Sequence, residues 1–189
     1  MKHVIAIFLL LPAVICFGEV KPDKLVASAR SQIGVTVSYD SGYHKLAYPG
    51  GDVPRNVGVC TDVVIRALRE QGVDLQKELH EDMTRDFAVY PQKWGLKRPD
   101  ANIDHRRVPN LMTWFQRQGF AQPVEAKPEN FAAGDIVTWD LGGGVTHIGI
   151  VSDRRDAKRI PLVIHNIGQG TQEEDSLFQF HIIGHYRFK

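Results

Sequence analysis

The sequence predicts an α+β fold in which helices come first and an antiparallel sheet follows. Apolar residues recur at helical spacing up to about residue 120 and alternate with polar ones after it. No internal repeat and no Pro- or Ser-rich linker separates the two halves, so a single domain over residues 19–189 is expected, with residues 1–18 set apart.

Residues 1–18 read as a secretory signal peptide. Lys2 gives a positive start, residues 4–17 form an apolar stretch too short to span a bilayer comfortably, and Cys16-Phe17-Gly18 supplies the end where cleavage occurs. Bulky Ile15 argues against a lipoprotein processed at Cys16. The expected location is periplasmic or secreted, with no membrane attachment after cleavage. That leader holds one charged residue, Lys2, so the 23 Lys and Arg fall to 22 against 22 Asp and Glu. A neutral chain without a basic stripe gives no footing for nucleic acid. Of the two cysteines only Cys60 remains, so an intramolecular disulfide is excluded and the thiol is inert, paired between chains, or reactive.

A helix over residues 22–33 follows from Pro22 at its start, the stripe Leu25, Val26, Ala29 and Ile33, and Gly34 as its stop. The Gly-, Pro- and Tyr-rich loop of residues 36–56 then leads to Gly58-Val59-Cys60-Thr61-Asp62. There a tight turn delivers Cys60 onto the first turn of a helix that Gly72 stops. Unpaired N–H groups and the helix dipole at that end favour a thiolate near neutral pH. A lone Cys among valines is also a common small core residue. Leu75, Leu79, Met83 and Phe87 mark a further helix, and residues 109–118 another, stopped by Gly119. Ahead of that last helix, Asp104-His105-Arg106-Arg107 is either a capping and salt-bridge device or a reader of carboxylates.

Strands are predicted at residues 135–139, 147–152, 161–167 and 182–188, with the glycines 142–144 as a hairpin turn and residues 153–159 as a solvated tip. Alternation puts His147, Gly149 and Val151 on one face and Ile148 and Ile150 on the other. His165 follows at hairpin distance and can be the cross-strand neighbour of His147, with Gly149 leaving room beside them. A thiol protease or amidase needs this set: Cys60 as nucleophile, His147 as general base, and His165 to hold the imidazole in the useful tautomer. Asn166 is the alternative orienter if the strand is shifted or bulged. No short-spaced metal pair is present, so no metal or other cofactor is expected, and a zinc site of Cys60, His147, His165 or His185 is the weaker possibility.

The order Cys60, His147, His165, with Gly134-Asp135-Ile136-Val137, Thr146-His147-Ile148-Gly149-Ile150-Val151 and Val163-Ile164-His165-Asn166, resembles the NlpC/P60-type branch of papain-like cysteine peptidases. Over nearly all of residues 20–189 the chain resembles the DUF1287 family, assigned to that clan, with Asp104-His105-Arg106-Arg107-Val108-Pro109-Asn110 and Gly184-His185-Tyr186-Arg187 as its recognisable stretches. The resemblance implies a papain-like α+β fold, N-terminal helices packed on a C-terminal antiparallel sheet, and a thiol hydrolase of cell-wall peptides. It gives Tyr39 the place of a tyrosine that assists the oxyanion, with Tyr48 competing for that place; Asp62 beside the thiol and the paired Arg106 and Arg107 are the further candidates for substrate binding. Cys60-Thr61-Asp62 departs from the Asp-Cys-Ser common in those enzymes. The expected partner is a peptidoglycan peptide, with an inhibitor or immunity protein conceivable and the chain acting as a monomer. The alternatives are a thiol hydrolase or transferase on another amide, or a non-catalytic cell-wall-binding protein of the same fold.

Overall fold

The computed structural model describes residues 18–188. The expected signal peptide at residues 1–18 therefore lies almost wholly outside the described residues. Helix α1 spans Pro22–Arg30, opened by its proline and by Asp23 in the first turn, and it buries Leu25, Val26 and Ala29. Its end comes three residues before the predicted one, because residues 31–34 tighten into turns that stop at Gly34, where φ is 77°.

Two short strands missed in the sequence, β1 (Ser38–Tyr39) and β2 (Val57–Gly58), pair in parallel across the neck of the 36–56 loop. Each has two residues, too few for an alternation pattern. The central helix α2, Cys60–Arg69, buries every residue from Cys60 to Leu68. Its buried Arg66 ties down the preceding loop by donating to Asp52, to Thr36 Oγ1 and to the Val57 carbonyl. Gly58 fits tightly here, since a Cβ there would stand 3.2 Å from the Asp62 side chain and 3.3 Å from Arg66 Nη1. Helix α3 spans Leu75–Asp86 and α4 spans Val108–Arg117. No helix among the described residues is long and apolar enough to cross a membrane.

The C-terminal part forms one antiparallel sheet from β3 (Ile136–Asp140), β4 (Thr146–Arg155), β5 (Pro161–His165), β6 (Gln172–Glu174) and β7 (His181–Tyr186), in the order β6-β5-β4-β3-β7. The α+β class, with helices packed on an antiparallel sheet, is thus the observed one. Strand alternation divides two apolar layers. Ile136, Ile148, Ile150, Ile164 and Tyr186 pack with α1, α2 and α4, while Val137, Trp139, Val151, Val163 and Ile182 pack under Phe131 and Leu177. His147 lies opposite Trp139 in the β3–β4 ladder and so stands on the second face. Edge strand β6 was not predicted. Its Gln-Glu-Glu sequence reads as a solvated turn because no apolar residue marks a buried face.

Candidate active site

Cys60 enters the site as the first residue of α2, after an extended Val59 at the N-cap. Asp62, three residues past the cap, accepts the Val59 N–H at 2.7 Å and closes one half of a capping box. Cys60 is 4% exposed and lines a cleft of about 290 Å³. Three hydrogen-bond donors reach its sulfur: the N–H of Ile148, the N–H of Thr61 and the hydroxyl of Tyr39. Each favours the thiolate. Burial opposes them and is the larger effect, helped by the Asp62 carboxylate, and the thiol is pushed up to about 11. The thiolate expected from the helix end is therefore not the resting form of the free protein. A helix dipole is worth roughly a kilocalorie per mole at such a position and is outweighed by the loss of water around the sulfur.

The Ile148 N–H belongs to the peptide that joins it to His147, so folding sets the sulfur against the backbone of the candidate base. The His147 ring lies tilted against Trp139 at 5.7 Å between centroids, and its Nε2 shares a hydrogen bond with Nδ1 of His165 at 2.7 Å. The His147 Nδ1 takes no part in that bond. Burial, and then the neighbouring His165, hold the His147 ring down to about 3, so the imidazole is neutral at pH 7. Burial also lowers His165, against the opposing pull of Glu174. Gly149 leaves the space for this pair. A Cβ on it would lie 2.6 Å from Val163 Cγ1 and 3.1 Å from His165 Cβ.

Asn166 does not join them. Its amide donates to the Gly58 carbonyl at 3.0 Å, and its oxygen accepts the Gly168 N–H, so it fastens the end of β5 to the β2 strand. β5 ends at His165, and Asn166, just past it, turns to β2 instead of to the His147 ring. His185 is also elsewhere, bonded through Nε2 to Asp135 at 2.7 Å.

Two residues expected at the substrate pair with each other. Asp62 is 3% exposed and takes the Arg106 guanidinium through Nε and Nη2 at 3.0–3.3 Å. Arg106 gives its other bonds to the carbonyls of Asp40 and Gly42. Arg106 also lines the cleft, and with one N–H left it clamps the loop that carries Tyr39 onto α2, so the bonds that it and Asp62 make in the free protein are structural. Arg107 differs. One of its nitrogens binds Asp104 at 3.0 Å, its plane lies over the Trp94 ring at 4.1 Å, and it lines the cleft. Tyr39 lines the cleft as well, whereas Tyr48 packs against His80.

Lys93 and Trp94 complete the cationic side of the cleft, with Ser41, Gly144 and Thr146 also lining it and no Asp or Glu among its walls. In the sequence these residues sit in the Pro- and Gly-punctuated stretch of residues 91–104, where only an exposed Trp beside a Lys hinted at a surface for binding. Glu174 and Ser176, which reach His165 Nε2 at 3.1 and 3.4 Å, were also missed.

The family described as "Domain of unknown function (DUF1287)" matches residues 26–188. The chain is similar to the "Uncharacterized protein YijF" of Escherichia coli (strain K12), with 62% identity over 160 residues, 85% of this chain and 78% of that protein. Among solved structures it is similar to a crystal structure from Staphylococcus aureus subsp. aureus Mu50 described as similar to lipoprotein, NLP/P60 family. That similarity has 16% identity and a TM-score of 0.42, and covers 92% of this chain and 44% of the other. The chain thus spans less than half the length of that structure's chain.

Proposed function

The chain belongs to the DUF1287 family, and from that premise we propose that it is an exported cysteine amidase or endopeptidase acting on the stem peptides of peptidoglycan. The observation that carries this is the pairing of contacts at β4. The Ile148 N–H reaches the sulfur, and the adjacent His147 is fixed through Nε2 to His165; no hydrogen bond joins the His147 ring to Cys60 among the described residues, so in this reading its Nδ1 turns to the thiol when substrate binds.

In this mechanism Cys60 attacks the substrate carbonyl as its S–H proton passes to His147 Nδ1. A C–S bond forms, and the tetrahedral oxyanion is met by the Tyr39 hydroxyl and the first N–H groups of α2. The C–N bond then breaks, and the amine leaves with the proton from His147. Water adds to the thioester with His147 as base, releasing the acid and restoring the thiol. Because thiol and imidazole both rest neutral, proton transfer accompanies attack, and the two must come within hydrogen-bond reach in the substrate complex. Lys93 and Arg107, the latter with only one nitrogen on Asp104, suit a peptide that carries free carboxylates.

The test is to incubate purified sacculi with the protein and read the products by mass spectrometry. New stem-peptide ends that vanish with Cys60→Ala are expected; intact sacculi after prolonged incubation would overturn hydrolysis of this substrate. The protonated thiol favours a second reading, a protein that binds cell-wall peptides without cutting them. Binding of sacculi without new ends, unchanged by Cys60→Ala, would select it.

A further inference from the structure

We propose that Glu174 is a positioning residue that fixes the proton on the far nitrogen of His165 and, through it, the tautomer of His147. This rests on taking Cys60 and His147 as the thiol and its base. Glu174 Oε2 lies 3.1 Å from His165 Nε2, and His165 Nδ1 lies 2.7 Å from His147 Nε2. An ionised carboxylate only accepts, so the His165 proton sits on Nε2 and its Nδ1 is a bare acceptor. The short bond to His147 then requires a proton on His147 Nε2. His147 Nδ1 is left with a lone pair, the form a base for Cys60 needs. Without the carboxylate, the reversed pair of tautomers makes an equally good bond between the rings while capping that lone pair. Ser176 Oγ, 3.4 Å from the same nitrogen, can give or take a proton and does not choose between them.

The edge strand is built to hold this carboxylate in place. In the β5–β6 ladder Glu174 lies opposite Val163 and Glu173 opposite Ile164, so the two acids point to opposite faces. Glu173 is anchored on the helix side by Arg30 of α1 at 2.7 Å, by Arg154 at 2.9 Å and by the Ser152 hydroxyl. The strand has three residues, and fixing one acid on one face sets the other on the histidine face.

The test reads the ring nitrogens directly. Long-range proton–nitrogen correlation spectra of the ¹⁵N-labelled protein at pH 7.5 should show both His147 and His165 protonated at Nε2. With Glu174→Ala the nitrogen shifts of both rings should move toward the reversed tautomer, and alkylation of Cys60 by iodoacetamide should slow roughly tenfold, below the 10²–10⁴ that a general base contributes. Ser176→Ala should leave the spectra unchanged. Should Glu174→Ala fail to fold, Glu174→Gln is read instead, with a smaller shift in the same direction. Unchanged ring nitrogens in the Glu174 variant, or an equal shift with Ser176→Ala, would overturn the assignment. The spectra need no substrate, so intact sacculi would sink the hydrolase reading without touching this one.

Discussion

His147 Nε2 and His165 Nδ1 lie 2.7 Å apart on neighbouring strands, with Gly149 providing the gap that lets the rings meet. The bond commits one nitrogen of His147 and aims the other. Replacing His165 by Ala should lower turnover by about 10²- to 10⁴-fold with a small change in KM, the loss expected when a base loses its orienter. Asn166→Ala should behave differently. It removes buried bonds to Gly58 and Gly168, so the melting temperature should fall while the folded fraction keeps its turnover. Steady-state kinetics alongside thermal melts separate the two, and loss of turnover by Asn166→Ala at full folding would reverse the assignment.

Gly149→Ala tests the gap itself. The added Cβ would meet Val163 Cγ1 at 2.6 Å, which forces β4 and β5 apart or displaces the His165 ring. Overpacking of this kind costs about 1–3 kcal/mol. A fall in turnover larger than the fall in stability is expected, because the displaced ring is the one that orients the base. A variant with native stability and native kinetics would show that the strands can absorb the methyl group.

Cys60 should react as a buried thiol and not as a preformed ion pair. With its pKa pushed up to about 11, mainly by burial, the rate of alkylation should climb about tenfold per pH unit from pH 6 to 9 without a plateau. Tyr39→Phe removes one donor to the sulfur and should slow alkylation at pH 8 by about threefold to tenfold, a discounted value for a bond to a charged group at a half-exposed tyrosine. A plateau already present at pH 6 would mean that the thiolate is the resting form.

Much of this was legible in the sequence, for physical reasons that differ from residue to residue. Cys60 and the α2 helix announced themselves through a turn, a helical stripe and a stopping glycine. His147, Gly149 and His165 followed from strand alternation, and the observed ladders put all three on one face. What failed was whatever depended on the partner of a charge. Asp62 and Arg106 look like surface chemistry in the chain and become a buried pair only when residues 44 positions apart are brought together. Glu174 failed for the opposite reason: a three-residue edge strand has no periodicity to read. The resting state of Cys60 also escaped, since a helix start is visible locally and burial is not.

The charged residues around the cleft divide into holders and readers, and mutation should separate them. Asp62→Ala leaves Arg106 buried without its carboxylate, and breaking such a pair costs about 3–5 kcal/mol, so folded yield and melting temperature should drop sharply. Arg107→Gln keeps a donor for Asp104 but removes the cation from the cleft wall. It should raise KM about tenfold with little change in turnover or stability, as expected when binding of a carboxylate is lost equally from ground and transition states. Equal falls in folded yield for both variants would make Arg107 a holder too.

Acid should weaken the fold before its carboxylates begin to titrate. His105 and His147 are buried neutral, and burial holds both down to about 3. An unfolded imidazole titrates near 6.5, so between about pH 6.5 and 3 the unfolded chain binds the extra protons and stability falls as pH falls. Each ring then costs about 2 kcal/mol at pH 5, or about 4–8 °C in melting temperature for a protein of this size. His105 offers the cleaner measurement because it lies outside the cleft and the histidine pair. In His105→Leu the drop in melting temperature between pH 7 and pH 5 should shrink by about that amount, whatever its effect on stability at pH 7. Below about pH 4, protonation of Asp135, held low mainly by its bonds to Arg187 and His185 against the opposing effect of burial, should steepen the loss in both proteins. An identical pH 7-to-5 drop in the variant and the parent would mean that His105 takes up a proton in the folded state, which its nearly complete burial beside Arg106 forbids.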